Sequence, residues 1–220
     1  SSDLPYVIAT TLTVQSGKTL TVPAGAILKF TSDGALTVNG RISVNGTSGS
    51  KVVFTSSKDD TTDAAIGNNT DTNGDGSATS PAAGDWNQIT LGANSSPSNF
   101  TYAVIRYGSK DPLLGALKIA DSSITIQNST FSNNYSYGVY LSNSTSTSIT
   151  SSIFQNHTLP ANFSYGLYLV NSTTTVQSTT FSGNSTGAKG DGTSRINDGG
   201  VSNTFSGNTT NTTPVGLIQP

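Results

Sequence analysis

Hydrophobic residues alternate with polar ones in many short segments of this chain. In the first half these segments are LTV at 12–14 and 20–22, ILKF at 27–30, LTV at 36–38, ISV at 42–44 and VVF at 52–54. Alternation places successive side chains on opposite faces of an extended strand. No window has the spacing of an amphipathic helix, and β-branched residues fill the segments. The pattern therefore predicts a chain of short β-strands.

The second half repeats itself at a nearly constant interval. Phe131, Phe154, Phe181 and Phe205 follow one another at 23, 27 and 24 residues, and YGVYLSNS at 137–144 returns as YGLYLVNS 28 positions later. Such periods are typical of solenoid coils. With three short strands per coil, the sequence predicts an all-β, single-domain parallel β-helix over 1–220, with about seven coils. Matching residues of neighbouring coils then stack about 4.8 Å apart.

Polar residues also recur in register with the phenylalanines. Asn134, Asn184 and Asn208 each lie three residues after a repeated phenylalanine, and His157 occupies the same place in its own coil. Asparagines at solenoid turns form ladders that hydrogen-bond to the backbone. We therefore expect His157 to be a member of this ladder and not a catalytic residue.

Several stretches resemble the right-handed parallel β-helix family of secreted and cell-surface proteins, including bacterial and archaeal surface domains. The resemblance rests on LTVPAGAILKFTSDGALTVNGRISVNGTSGSKVVFTSS in the first half and on the turns NSTFSNN and TTFSGN in the second. It implies a right-handed parallel β-helix over nearly the whole chain. Because that fold hosts lyases, hydrolases, adhesins and inert spacers, it does not select an activity.

Composition narrows the possible locations and partners. The 220 residues include 68 Ser or Thr and no Cys, so the fold relies on no disulfide. A net charge of -2 argues against nucleic-acid binding, and no apolar run approaches the roughly 20 residues that span a bilayer. Met is absent even at position 1, so we expect either a processed mature chain or a fragment whose targeting segment has been removed. We expect an extracellular or cell-surface protein.

A calcium-loop motif lies in a long acidic insertion at 57–84. DTNGDG offers oxygen ligands at alternate positions, Asp71, Asn73 and Asp75, followed by a glycine at the sixth place. The twelfth position of a calcium loop normally holds a bidentate Glu, but here it is Ala82, and the chain has no Glu. Other acidic residues must therefore complete the calcium coordination shell. The candidates are Asp59, Asp60, Asp63 and Asp85. The motif predicts a structural Ca²⁺, and the alternative is a solvated loop of Asx-turns.

Two further features indicate contact with carbohydrate. Tyr140 and Tyr168 occupy matching outward places in adjacent coils, where they form either a stacking platform for sugar rings or a packed tyrosine ladder.

Glycosylation motifs are also frequent. Thirteen of the 20 asparagines are the first residue of an Asn-x-Ser/Thr motif, whereas about 6 are expected by chance. This excess indicates that some of them carry glycans, and the alternative is that the motif is only a turn signal. These asparagines are Asn45, Asn68, Asn94, Asn99, Asn128, Asn134, Asn143, Asn156, Asn162, Asn171, Asn184, Asn208 and Asn211.

Catalytic chemistry has little support in the sequence. A glycosidase needs carboxylates that converge on one sugar, whereas the aspartates here lie mostly in the 59–85 region or are isolated. Lyase chemistry would need a basic residue beside calcium, and we expect Arg106 and Lys118 in one outward column without nearby acids. We predict no enzyme activity, with a polysaccharide lyase or hydrolase as the least favoured alternative.

The terminal segments suggest self-assembly. Residues 1–14 and 210–220 are nearly uncharged and β-prone. Such segments either cap their own core or donate strands to a neighbouring copy. We therefore expect an extracellular structural protein that polymerises head to tail into a filament or surface layer. A carbohydrate-binding adhesin module is the first alternative.

Overall fold

The computed structural model describes residues 5–61, 71–159, 163–214 and 216–219, and these form three long parallel sheets. No helix long and apolar enough to cross a bilayer occurs in this described part of the chain.

Each sheet contains eight strands, one from each coil. Sheet A consists of β1 (Tyr6–Ile8), β4 (Ile27–Phe30), β7 (Val52–Ser56), β10 (Ala103–Arg106), β13 (Thr130–Ser132), β16 (Ile153–Gln155), β19 (Thr180–Ser182) and β22 (Thr204–Ser206). Sheet B consists of β2 (Thr11–Val14), β5 (Ala35–Val38), β8 (Ile89–Leu91), β11 (Gly115–Ala120), β14 (Tyr137–Ser142), β17 (Tyr165–Val170), β20 (Thr186–Gly190) and β23 (Thr210–Thr213). Sheet C consists of β3 (Thr19–Pro23), β6 (Arg41–Asn45), β9 (Ser98–Thr101), β12 (Ile124–Gln127), β15 (Thr147–Thr150), β18 (Thr173–Gln177), β21 (Arg195–Asn197) and β24 (Ile218–Gln219).

The pairing confirms the predicted all-β parallel solenoid. Every strand pairs in parallel with the corresponding strand of the next coil, so the chain passes from sheet A to B to C and returns. There are eight coils, one more than expected. The repeated octapeptides lie side by side, with Tyr140 opposite Tyr168.

The core is built of columns of identical or similar side chains. Phe131, Phe154, Phe181 and Phe205 stack in one column, with ring centroids 4.9, 5.1 and 5.0 Å apart and nearly parallel planes. Because neighbouring coils offer the same side chain at each level, one packing arrangement is repeated along the axis. The first three of these rings are buried, whereas Phe205 is partly exposed.

The predicted asparagine ladder is present and includes His157. The backbone N–H of Asn134 donates to His157 Nδ1 at 3.3 Å, and the N–H of His157 donates to Asn184 Oδ1 at 3.2 Å. The N–H of Asn184 continues the series to Asn208 Oδ1 at 3.0 Å. This ladder satisfies backbone donors at the corner between sheets A and B.

The described parts of both terminal segments pair with the chain's own coils. β1 and β2 pair with β4 and β5, while β23 and β24 pair with β20 and β21. Leu217 is fully buried beside Gly190, where an added Cβ would lie 2.6 Å from the leucine Cδ1. The described parts of these segments therefore form the first and last coils of the chain's own solenoid.

Candidate functional site

The acidic insertion is attached to the outer face of sheet A by two ion pairs. Lys29 Nζ lies 3.1 Å from Asp60 Oδ1, and Arg106 Nη2 lies 2.6 Å from Asp59 Oδ2. Both cations point outward from strands and would normally be solvated, yet both are buried. Thr55 lies between them, in register with Lys29 and accepting a hydrogen bond from Arg106 Nε. The start of the insertion is therefore docked on the solenoid.

Three carboxylates of this region converge. Oxygen atoms of Asp60, Asp71 and Asp75 all lie within 4.8 Å of one another. Asp71 closes the turn of the DTNGDG motif by accepting the backbone N–H groups of Gly74 and Gly76, each at 2.7 Å. The Gly76 hydrogen bond is the main cause that lowers the pKa of Asp71. The DTNGDG motif therefore forms an Asx-turn closed by Asp71, and the carboxylates of Asp60 and Asp75 lie next to it.

The structure brings together only part of the predicted calcium shell. Asn73 directs its Nδ2 at Asp75, 2.9 Å away, and so presents a donor to that carboxylate. Asp85 was expected as a ligand, but it binds Lys58 at 2.9 Å and Ser56 at 2.8 Å and is not in the converging group. In this arrangement the Lys58 ammonium and the Ser56 hydroxyl occupy both oxygens of the Asp85 carboxylate. Asp63 lies outside the described residues.

Two oxygens of the acidic group remain for an additional ligand. Asp60 Oδ2 and Asp75 Oδ1 are buried and have no hydrogen-bond partner within the described part of the chain. Carboxylate oxygens are the ligands that Ca²⁺ prefers. Two features oppose a tight site, since Lys29 already neutralises one carboxylate and both oxygens of Asp71 accept hydrogen bonds from the turn.

A cluster of four tyrosines lies on the outer face of sheet B, and we call it the tyrosine surface. It comprises Tyr137, Tyr140, Tyr165 and Tyr168 together with Lys118 and Lys189. Tyr137 and Tyr165 are buried and stack at 4.9 Å with an interplanar angle of 2°. Tyr140 and Tyr168 are half-buried, with ring centroids 5.4 Å apart and planes tilted by 36°.

The buried tyrosines support the outer pair. The Tyr168 ring packs edge-on against both stacked rings, at 5.1 Å from Tyr137 and 5.5 Å from Tyr165. Burial, followed by the neighbouring tyrosines, raises the pKa of Tyr137 to about 12, so its phenol is neutral at physiological pH. The prediction that Tyr140 and Tyr168 share an outward column is confirmed. Tyr137, Tyr165 and Lys189 were missed, although the repeated YGVY and YGLY already contained the first two.

The asparagine motifs fall into structurally distinct classes. Asn134 and Asn184 are buried ladder members whose Nδ2 groups donate to backbone carbonyls, so neither can carry a glycan in the folded protein. The corner residues with positive φ are Asn128, Asn143, Asn156 and Asn171. Exposed residues are Asn45, Asn94, Asn143, Asn156, Asn171 and Asn211, and partly buried ones are Asn99, Asn128 and Asn208. Asn68 and Asn162 lie outside the described residues.

The corner geometry itself accounts for much of the Asn-Ser-Thr repetition. In Asn128-Ser129-Thr130 the asparagine adopts φ 52°, the serine is buried, and the threonine begins β13. Asparagine tolerates this left-handed conformation better than most residues do. The hydroxyl of Ser129 then bonds to backbone groups of its own and the preceding coil. The motif is thus a recurring turn signal of this solenoid.

The two basic residues considered for lyase chemistry are separated. Arg106 ends a strand of sheet A and is paired with Asp59, whereas Lys118 lies in sheet B next to Tyr140. The expectation of one shared outward column is wrong, because the chain turns from one sheet to the next between these residues.

Comparison with known proteins agrees with the observed architecture. No curated protein and no solved structure matches the chain. Residues 114–212 match the family model described as the right handed beta helix region, which covers coils with the repeated phenylalanines and the tyrosine surface. The parallel β-solenoid and this match together confirm the resemblance of the chain to right-handed β-helix proteins.

Proposed function

We propose that this chain is an extracellular structural protein whose solenoid joins end to end with further copies. The supporting observation is the open face formed by β1, β2 and β3. Its inward residues line a groove of about 550 Å³, and Tyr6 and Leu12 remain 65% and 42% exposed. Three strand edges at this face have no further partner strand among the described residues. Such edges are templates for pairing.

The opposite face matches this one strand for strand. It is formed by β22, β23 and β24, which belong to the same three sheets. The core column that begins at Tyr6 ends at Phe205, and the column that begins at Leu20 ends at Ile218. In sheets A and C a second copy placed on the open face would therefore set an aromatic residue on an aromatic one and an aliphatic residue on an aliphatic one. In sheet B the column that begins at Leu12 ends at Thr212, so there a leucine would meet a threonine.

The free energies of apolar burial and strand pairing at this contact predict an assembly that forms only at sufficient protein concentration. Covering large apolar side chains such as Tyr6, Leu12 and Leu20 contributes about 1.5–3 kcal/mol each, a total comparable with the cost of association. Parallel pairing along three strand edges adds hydrogen bonds that contribute about 1 kcal/mol each. Leu217 already fills part of the last coil, which reduces the apolar area that a partner can bury there.

A matched pair of edge substitutions tests this proposal. Leu12→Asp places a charge on the face to be covered, whereas Thr13→Asp places the same charge on the solvent side of the same strand. In sedimentation velocity, the wild type and Thr13→Asp should form larger species as concentration rises, while Leu12→Asp should stay monomeric with an unchanged circular-dichroism spectrum. A wild-type chain that remains monomeric at every concentration would contradict the proposal.

We also propose that Ca²⁺ orders the insertion through Asp60, Asp71 and Asp75. The two buried carboxylate oxygens without partners support it, and the ion would offset repulsion among the three acids. Millimolar Ca²⁺ should raise the unfolding temperature of the wild type but not that of Asp75→Asn. An equal shift in both proteins, or none in either, would remove this proposal.

Carbohydrate binding is the second candidate function, and the tyrosine surface supports it. Aromatic rings on a rigid, polar-rimmed surface can stack against the apolar faces of sugars. On a glycan array, Tyr140→Ala and Tyr168→Ala should lose binding, whereas Tyr102→Ala, in a different sheet corner, should keep it. We propose binding without turnover, so release of reducing sugar or of unsaturated products would instead favour a lyase or hydrolase.

We further propose that exposed asparagines of this surface protein carry glycans. The accessible candidates include Asn45, Asn94, Asn156 and Asn211. Glycopeptide mapping of native material should find glycans within this exposed set and unmodified Asn134. An intact mass equal to the bare 22.5 kDa would remove the proposal.

A further inference from the structure

Two lysines lie at opposite sides of the outer tyrosine pair in one column of sheet B. Lys118 pairs in register with Tyr140, Tyr140 with Tyr168, and Tyr168 with Lys189. Successive strands are about 4.8 Å apart, so the two lysine backbones lie about 14 Å from each other along the solenoid axis. Two aromatic rings occupy the interval between them.

The lysine at the later coil is held against the aromatic cluster. Lys189 Nζ donates a hydrogen bond to the Tyr165 hydroxyl at 2.9 Å and lies 4.6 Å from the centroid of that ring. It is also 5.7 Å from the Tyr168 centroid. An ammonium in this position is oriented by cation–π attraction and still has two N–H donors for another group.

Neither lysine of the tyrosine surface forms an ion pair with a carboxylate of the described ranges, whereas Lys29, Lys58 and Lys110 each do. Two acids lie near these tyrosines. Asp191, near Tyr168, already accepts hydrogen bonds from Asn171, Thr193 and Ser194, and Asp111, near Tyr137, accepts the backbone N–H of Leu113. Neither acid pairs with Lys118 or Lys189, so both ammonium groups remain available to an external anion. Half-buried ammonium groups without a carboxylate favour an anion from outside.

We propose that the tyrosine surface binds an acidic oligosaccharide whose chain runs along the solenoid axis. The sugar rings stack on Tyr140 and Tyr168, and anionic groups on either side pair with Lys118 and Lys189. This inference rests on the carbohydrate-binding function proposed above and adds the charge and direction of the ligand. An axial direction follows because the four side chains succeed one another across strands, not along one strand.

Two oligosaccharides that differ only in charge provide the test. A tetramer of β-1,4-linked glucuronate and cellotetraose share their linkage, and only the first carries carboxylates. By titration calorimetry, the glucuronate tetramer should bind roughly 20-fold more tightly, and Lys118→Gln or Lys189→Gln should each weaken it roughly fivefold. Lys18→Gln removes the same charge at an exposed turn of the first coils and should leave affinity unchanged.

The outcomes separate this inference from the function on which it rests. Equal affinity for the two tetramers, unaffected by either lysine substitution, would overturn the acidic ligand while leaving carbohydrate binding in place. Failure of both tetramers and of a broad glycan array to bind would overturn both. Binding of the glucuronate tetramer that weakens equally in Lys118→Gln and Lys18→Gln would indicate nonspecific charge attraction and also overturn the assigned site.

Discussion

Replacing His157 by asparagine should stabilise the solenoid, most of all in acid. His157 Nδ1 accepts the N–H of Asn134, so the neutral ring carries its proton on Nε2, and this atom is buried without a partner in the described part of the molecule. At the same place Asn184 uses Oδ1 to accept the N–H of His157 and Nδ2 to donate to the Phe154 carbonyl. Asparagine at 157 would make the equivalent bond to Phe131.

The gain near neutral pH is modest. A restored hydrogen bond contributes about 1 kcal/mol, and removal of a buried, unpaired donor contributes about as much again. Loss of part of the imidazole volume costs about 1 kcal/mol in packing. We therefore expect the free energy of unfolding at pH 7 to rise by about 1 kcal/mol in His157→Asn.

The gain in acid is larger because the histidine titrates only when the protein unfolds. Burial lowers the pKa of His157 from 6.5 to about 3. Below pH 6.5 the unfolded chain binds a proton that the folded chain rejects, so stability falls as pH decreases from 6.5 towards 3. The slope is about 1.4 kcal/mol per pH unit, which amounts to about 3 kcal/mol at pH 4.5. His157 is the only histidine of the chain, so this pH window reports on it.

Urea unfolding at pH 7.0, 5.5 and 4.5 measures both effects. The stability advantage of His157→Asn over the wild type should grow by about 3 kcal/mol across this range. His157→Ala removes the titration without restoring the ladder, so it should be less stable than wild type at pH 7 yet share the flatter pH profile. Parallel profiles for the wild type and His157→Asn would refute the assignment of a buried, neutral imidazole.

Three further substitutions test the packing on which the sites depend. Gly166→Ala should destabilise by about 2 kcal/mol or more, because its Cβ would lie 2.6 Å from the Gly187 carbonyl, whereas Gly49→Ala, with open space, should be neutral in thermal unfolding. Phe181→Ala should cost about 3–5 kcal/mol by interrupting the aromatic stack, measured by chemical denaturation. Asp59→Asn should cost about 3 kcal/mol and increase proteolysis within the insertion, because it leaves Arg106 buried without its charged partner.

The repeat made the fold predictable from the sequence. The recurrence of Phe131, Phe154 and Phe181 at intervals of 23 and 27 residues indicated the register of neighbouring coils, and the structure stacks these rings as expected. The same register brought Tyr140 beside Tyr168. Short-range periodicity was sufficient here because each coil contacts mainly its immediate neighbours.

The number of coils was underestimated because the last coils lack the hydrophobic signal. β20 has Ala188 and Gly190 at inward positions, and β23 consists of polar residues. Small inward residues are needed there because Leu217 enters the core from the following turn. A pattern search for alternating large aliphatics does not detect such strands.

The attachment of the insertion was not predictable from local patterns. Lys29 and Arg106 occupy outward strand positions that normally face water, but aspartates 31 and 47 positions away cover them. The same long-range contact places Asp60 in the acidic group, while Asp85 is bound to Lys58. Sequence spacing gives the ligand types of a candidate site, but the fold decides which of them converge.

The asparagine motifs show how one pattern supports two interpretations. The excess over chance assumed that Asn, Ser and Thr occur independently, whereas corners such as Asn171-Ser172-Thr173 need them in that order. Asn171 has φ 47°, Ser172 is buried, and Thr173 begins β18. A count of motifs is therefore weak support for glycosylation in a solenoid with these turns.

Electron microscopy of the purified chain at increasing concentration tests the central functional proposal most directly. Eight coils at about 4.8 Å each give a length of about 38 Å per copy along the axis. The proposal predicts filaments one solenoid wide with an axial repeat of about 38 Å, which Leu12→Asp abolishes and Thr13→Asp retains. Separate single particles at the highest concentration, or contacts through the sides of the solenoid, would contradict it.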